Sequence, residues 1–266
     1  MSFRETKAIL SMGFKEALAY KFHFITAIVT APITLIVYYF LWSSVFSYSG
    51  AQVIQGFTLN EMIAYYALSM IVGFFAWSFA DETMEGDVKH GWLTPALLRP
   101  ITYLKQMFLF EFGHNSLAIG IEIIPMFIIS FIFFKIPVPQ IINGIYFALS
   151  VFGAACIYFL ISFLVGLTAF WFYSISGLRR VKRVIVSFLA GSFIPLAFFP
   201  ATVQKVFHFL PFEYIRYVPI NIYLGKYSVW GGLAQLAIQA VWIITLYAAA
   251  RIIWGIAYKK FAGAGV

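Results

Sequence analysis

Charge is what this chain of 266 residues has least of. Only 11% of its residues are Asp, Glu, Lys or Arg, against roughly a quarter in soluble domains. Aspartate occurs twice, at Asp81 and Asp87, which is too few for an aspartate-rich diphosphate site. The single cysteine, Cys156, excludes an intrachain disulfide and leaves the redox compartment open. The four histidines, His23, His90, His114 and His208, are scattered, and there is no H-E-x-x-H or Cys/His cluster, so no metal site is expected. A phosphate-binding G-x-x-x-x-G-K-[ST] is missing: Gly225 and Lys226 are followed by Tyr227 and lack the upstream glycine. A G-x-S-x-G nucleophile turn is missing too. The chain is therefore expected to be no enzyme and to carry no cofactor of its own. No cleavable leader is expected, because the first apolar run starts after 21 residues and far exceeds the roughly 7–15 residues of a signal core. No internal repeat is visible.

What is present is apolar surface. Hydrophobic residues make up 62% of the chain and the mean hydropathy is +0.90. A soluble domain has roughly 45–50% apolar residues, so lipid must solvate much of this one. The fold class is all-α integral membrane, with six transmembrane helices expected at about 22–46, 62–80, 106–134, 145–173, 184–204 and 233–256. Each is near or above the ~20 residues needed to cross the hydrocarbon core. The third and fourth are long enough to tilt, kink or project, and Pro125 is placed to kink the third. Tyr38, Tyr39, Trp42, Tyr65 and Tyr66 fall near expected outer ends of spans and read as an aromatic belt, with cavity lining as the alternative.

The net charge of +8 would raise nucleic acid as a partner in a soluble protein. Here the basic residues fall between apolar runs and report topology instead. With the N-terminus inside, Arg4, Lys7, Lys15, Lys21, Lys89, Arg99, Lys105, Arg179, Arg180, Lys182, Arg183, Arg251, Lys259 and Lys260 are all cytoplasmic. Only Lys135, Lys205, Arg216 and Lys226 are left outside. Both termini are expected in the cytoplasm of a multi-pass cell-membrane protein.

Residues 1–21 read as an amphipathic interfacial helix. Phe3, Leu10, Phe14, Ala17 and Leu18 recur at helical spacing opposite Arg4, Lys7, Ser11 and Lys15. The helix is expected to turn into the first span at Lys21; packing on another chain is the bland alternative. The segment 205–230 is apolar but holds His208, Glu213, Arg216, Pro211 and Pro219. Charges at mid-bilayer cost ~2.5–3.5 kcal/mol each, so it reads as re-entrant outer helices packed on their own bundle between spans 5 and 6. Glu213 and Arg216, three apart, can pair, in a structural role.

Two places are rich enough to carry function. The connection 81–105 opens with Asp81, Glu82, Glu85 and Asp87 and continues through Gly91, Trp92, Leu93, Leu97, Leu98, Arg99 and Pro100. Trp92, Ala96 and Arg99 share one face of a short helix, with Leu93 and Leu97 beside it. An apolar patch ringed by charge fits docking of a soluble partner, and equally an interfacial segment touching lipid. The third span carries Glu111, His114, Asn115 and Glu122. Glu111 and Glu122 lie within about 20° of each other around the helix and Asn115 shares their stripe. Lipid cannot face that stripe, so it points to a translocation path, a dimer interface, a proton relay, or interhelical hydrogen bonds.

The layout resembles the membrane permease subunits of ABC-2-type exporters over nearly the whole chain. The resemblance rests on Asp87-x-x-x-Gly91-x-Leu93-x-x-x-Leu97-Leu98-Arg99-Pro100, on Phe193-Ile194-Pro195-Leu196 through Pro200, on Leu210-Pro211-Phe212 and on Gly225. It implies an N-terminal elbow helix and a coupling helix after span 2, with Glu85, Asp87, Gly91, Trp92, Leu93, Leu97, Leu98 and Arg99 at the contact with an ATPase. It also implies two cytoplasmic ABC ATPase subunits holding ATP and Mg, and a second permease, identical or similar. The outer segment carrying Pro195, Pro200, Pro211, Glu213 and Arg216 belongs to the same likeness. The rival reading is a proton-coupled secondary transporter using Glu122, Glu111 and His114. A third is an assembly protein without transport.

Overall fold

We describe residues 3–19 and 21–263 of the chain in a computed structural model. The side chains of residues 3, 21–25, 27, 28 and 261–263 lie outside the described part as well, so the expectations resting on Phe3, Lys21 and His23 do too. The described residues are helical with no strand. An isolated bridge between Ile54 and Phe57 is the one extended pairing among them.

Five helical stretches among the described residues are long and apolar enough to cross a bilayer: Val29–Ser49, Leu59–Lys89, Tyr103–Phe134, Ile141–Phe170 and Val229–Lys260. The first lies in α2 (Lys21–Ser49) and the last in α12 (Val229–Gly263). The second is two helices, α3 (Leu59–Phe75) and α4 (Ala80–Lys89). Thr58 and Glu61 start α3 with a reciprocal capping box. After a short bridge, α4 is followed by the five-residue α5 (Leu93–Leu97).

The third stretch runs from α6 (Tyr103–Ala118) through a π-helical turn, Ile119–Ile123, into α7 (Ile124–Phe134). Pro125 explains the turn. Its ring carries no N–H for the Ile121 carbonyl, and the helix widens locally, with Ile124 N–H reaching Ile119 O instead. The fourth stretch is α8 (Ile141–Leu167) with a short 3-10 extension.

The expected fifth span, 184–204, is not one helix. α9 (Ser176–Leu189) ends at Ala190, and Gly191 turns the chain at φ +76°. Pro195 then leads a 3-10 turn, Leu196–Phe198, and Pro200 caps α10 (Ala201–His208). A glycine in the left-handed region and two prolines override a run that hydropathy alone reads as continuous. The chain continues through a 3-10 turn, Pro211–Ile215, into α11 (Tyr217–Tyr223).

The segment 211–223 packs on the rest of the bundle. Tyr214, Ile215, Val218, Ile220 and Ile222 are buried in the main cluster with α3 and α8. Gln239 of α12 holds it there, donating to Tyr214 O at 3.0 Å and to Ser150 O at 2.9 Å. Tyr65 and Tyr66 depart from the belt reading. Both are buried, and their hydroxyls donate to Gly191 O at 2.7 Å and Phe193 O at 2.9 Å. They clamp the turn after α9 rather than facing lipid.

The N-terminal helix α1 (Phe3–Ala19) lies against α6. The contact is backbone on backbone. A Cβ at Gly13 would sit 2.0 Å from Phe110 O, and one at Gly113 would sit 2.2 Å from Leu10 O. Glycine on both helices permits this approach, as small residues do between helices in membranes.

Candidate functional site

The site begins at the end of the bundle formed by α4 and α5. Met84, Leu93 and Ala96 turn inward against Tyr103, Phe163 and Leu167. Leu93 is 0% exposed while Trp92 is 62% and Leu98 83% exposed. Arg99 and Gly91 are exposed and Leu97 is half-buried. The shared face expected for Trp92, Ala96 and Arg99 does not form, because α5 is only five residues long and Ala96 packs inward. The segment thus has an anchoring side, led by Leu93, and a presenting side of Trp92, Leu98 and Arg99. His90 lies against Trp92, ring centroids 5.0 Å apart.

The acidic residues of α4 meet the basic residues of α9. Arg179 bridges Glu82 at 2.9 Å and Glu85 at 3.3 Å. Glu85 is buried; it also pairs with Lys89 at 2.6 Å and accepts from Ser174 Oγ at 3.0 Å and Ile175 N at 3.2 Å. Deeper in, Lys182 Nζ lies 2.7 Å from Asp81 Oδ2, both side chains 5% exposed. This is an ion contact rather than an aligned hydrogen bond. Lys182 donates to Ser162 of α8 at 2.8 Å and sits 5.2 Å over the Tyr158 ring. Asp87 accepts from the Tyr103 hydroxyl. Asp81 and Glu85 at i, i+4 and Arg179 and Lys182 at i, i+3 are complementary stripes that the sequence displays, but about a hundred residues apart.

The polar stripe of the third span divides in two. Asn115 donates to Phe75 O at 3.2 Å and Trp77 O at 2.6 Å, and Glu111 accepts from Phe79 N at 3.1 Å. These two side chains satisfy the backbone left open between α3 and α4. Glu122 stands apart in the π turn, 6% exposed and without a hydrogen-bond or ion-pair partner among the described residues. Eleven residues of helix separate it from Glu111, about 16 Å along the axis.

In the segment 205–230, the pairing of Glu213 with Arg216 that the sequence allows is replaced. Glu213 takes His208 as its partner. Burial pushes its carboxyl above the usual carboxylate range, with His208 pulling the other way. Arg216 donates through Nη1 to Ser69 O and to Ser69 Oγ of α3. A 3-10 turn at 211–215 followed by a break from helical geometry at Arg216, φ −139° and ψ −54°, points the two side chains apart. Pro195 and Pro200 sit at the starts of the 3-10 turn and α10, and Pro211 starts the next turn. Lys226 pairs with Glu61 at the start of α3.

No group of His, Cys, Asp and Glu side chains able to hold a metal occurs among the described residues. No curated protein and no solved structure matches the chain. A family model, ABC-2 family transporter protein, matches residues 33–265. That span holds the five long apolar helices except the start of the first, the α4–α9 ion pairs and the whole segment 205–230. The chain belongs to the ABC-2 family of transporter membrane proteins.

Proposed function

We propose that the chain is the permease subunit of an ATP-driven exporter, forming the path through the bilayer and docking a separate cytoplasmic ABC ATPase. The family match over most of the chain carries the reading. The presenting side of α5 supports the docking surface: Trp92 and Leu98 are large, apolar and exposed beside Arg99. Aromatic and Arg residues are the side chains that anchor protein interfaces. Beneath them Leu93 and Met84 fix α5 and α4 to the bundle, so movement of one moves the other. The ion pairs of Arg179 and Lys182 then tie α4 to α9. A docked ATPase would act on this lever rather than on a loose loop.

Six crossings remain the topology of this proposal, with α9 as the short fifth, α1 as an elbow in the inner headgroup layer, and the segment from α10 to α11 as outer re-entrant helices. Both termini face the cytoplasm. Two such chains, or this chain and a similar one, complete the path. ATP and Mg belong to two partner ATPase subunits. Glu111 and Asn115 act as positioning residues at the α3–α4 break, and Glu122 faces the path or the second permease.

The docking surface is tested by cross-linking. With Cys156 replaced by Ala, Leu98→Cys carries a photoreactive thiol probe in inner-membrane vesicles. The expected product is a covalent adduct with an ABC ATPase, absent when the probe is at Ile132, which faces outward elsewhere on the bundle. Labelling of lipid alone at Leu98 would overturn the docking assignment.

A further inference from the structure

Two arginines share one small cavity inside the bundle. The cavity, about 70 Å³, is lined by Gly73 near the end of α3, Trp77 just beyond it, Tyr158 of α8, Arg183 of α9, Ser192 and Arg216. Its depth follows from Arg216. That side chain donates to Ser69, ten residues into α3 and so about 15 Å from the helix start, roughly half the hydrocarbon thickness. A Cβ at Gly73 would lie 2.6 Å from Arg216 Nη2, so glycine leaves the guanidinium room to lie across α3.

The charge there is not neutralised by the chain itself. Every carboxylate that approaches is committed elsewhere: Asp81 to Lys182, Glu85 to Arg179 and Lys89, Glu111 to Phe79 N, Glu213 to His208. Neither Arg183 nor Arg216 enters an ion pair among the described residues. Arg216 uses Nη1 on Ser69 and leaves Nη2 toward the cavity. An arginine held at this depth without a counter-charge is costly and marks a functional site. Its planar fork matches a carboxylate or phosphate bidentately. Ser192 Oγ has no hydrogen-bond partner and is a further donor on the same wall.

We propose that this cavity binds a compact anionic group, the size of a carboxylate or a single phosphate, between Arg216 and Arg183. Two sources share that chemistry: the head of an anionic amphiphile carried by the permease, or a free anion drawn from water. The identity of the ligand as cargo rests on the permease reading; the binding site does not.

The test uses the full chain purified in a neutral maltoside detergent, with radiolabelled laurate as probe. We expect saturable binding, competed by dodecyl phosphate and not by dodecyltrimethylammonium. Arg216→Gln and Arg183→Gln are each expected to weaken binding by about tenfold or more, and Arg216→Lys by less. Full competition by acetate at the same concentration assigns the site to free anions, and its failure assigns it to the head of an amphiphile. If Arg216→Gln does not fold, Arg183→Gln decides, because that side chain is exposed at the cavity mouth. Equal competition by the cationic amphiphile, or unchanged binding in the folded arginine variants, overturns the proposal. If this binding persists but the complex of the chain with its co-purifying ATPase, reconstituted in liposomes with ATP, moves no laurate, the cargo assignment fails and the anion site stands.

Discussion

Removing the Lys182 charge tests the join between α4 and α9. Lys182→Met keeps the length of the side chain and deletes the ammonium. Asp81 is then left 5% exposed, with one backbone donor, Glu82 N at 3.1 Å. An uncompensated buried charge of this kind costs about 3–5 kcal/mol. The reverse change, Asp81→Asn, strands the ammonium less severely. Ser162 and the face of Tyr158 still solvate it, so we expect about 2–4 kcal/mol. The double variant removes both charges and is expected within about 1 kcal/mol of wild type, because a paired buried ion pair is near break-even against neutral packing. Unfolding midpoints in maltoside–SDS mixtures give the cycle. We expect a coupling energy of about 3 kcal/mol or more. Additive single effects, with coupling under about 0.5 kcal/mol, would refute the buried pair. In the assembled transporter both single variants should also slow transport more than they lower ATPase docking, since the lever and not the docking surface is cut.

Gly113→Leu is expected to detach α1 from α6, because no side chain fits 2.2 Å from Leu10 O; protease protection of the first 19 residues would be lost while the other helices remain folded. Tyr65→Phe removes the donor to the Gly191 carbonyl and should cost about 1–3 kcal/mol, read as a lower unfolding midpoint. Gly191→Ala, at φ +76°, should cost about 1–2 kcal/mol by the same measurement. Glu122→Leu is expected to raise the midpoint, since a buried carboxyl without a partner is replaced by an apolar side chain, while transport falls; a lowered midpoint would mean that Glu122 has a structural partner.

Much of the fold is legible in the sequence because lipid makes hydropathy decisive. Five of the expected apolar runs overlap helical stretches long and apolar enough to cross a bilayer, and the family likeness rests on short stretches of Gly, Pro and Leu. The rest depends on contacts between distant segments. Apolar length gives no sign that α3 stops at Phe75, because the broken backbone is paid for by Asn115 and Glu111 from another helix. Hydropathy outvotes Gly191, Pro195 and Pro200, although each carries a local reason for the run to break. Glu213 and Arg216 have helical spacing in the sequence, but a 3-10 turn sends one to His208 and the other to Ser69. For the presenting side of α5, the residue types Trp92, Leu98 and Arg99 were readable in advance. That Leu93 faces inward was not, because a five-residue helix has too few turns to show a periodicity.

The most direct measurement is affinity purification of the tagged full chain from its native membrane in mild detergent, with quantitative mass spectrometry of what accompanies it. We expect an ABC ATPase at one copy per permease, retained by wild type and lost on Leu98→Asp without loss of the folded permease. Recovery of the intact chain with no ATPase across several detergents would contradict the coupling role assigned to α4 and α5.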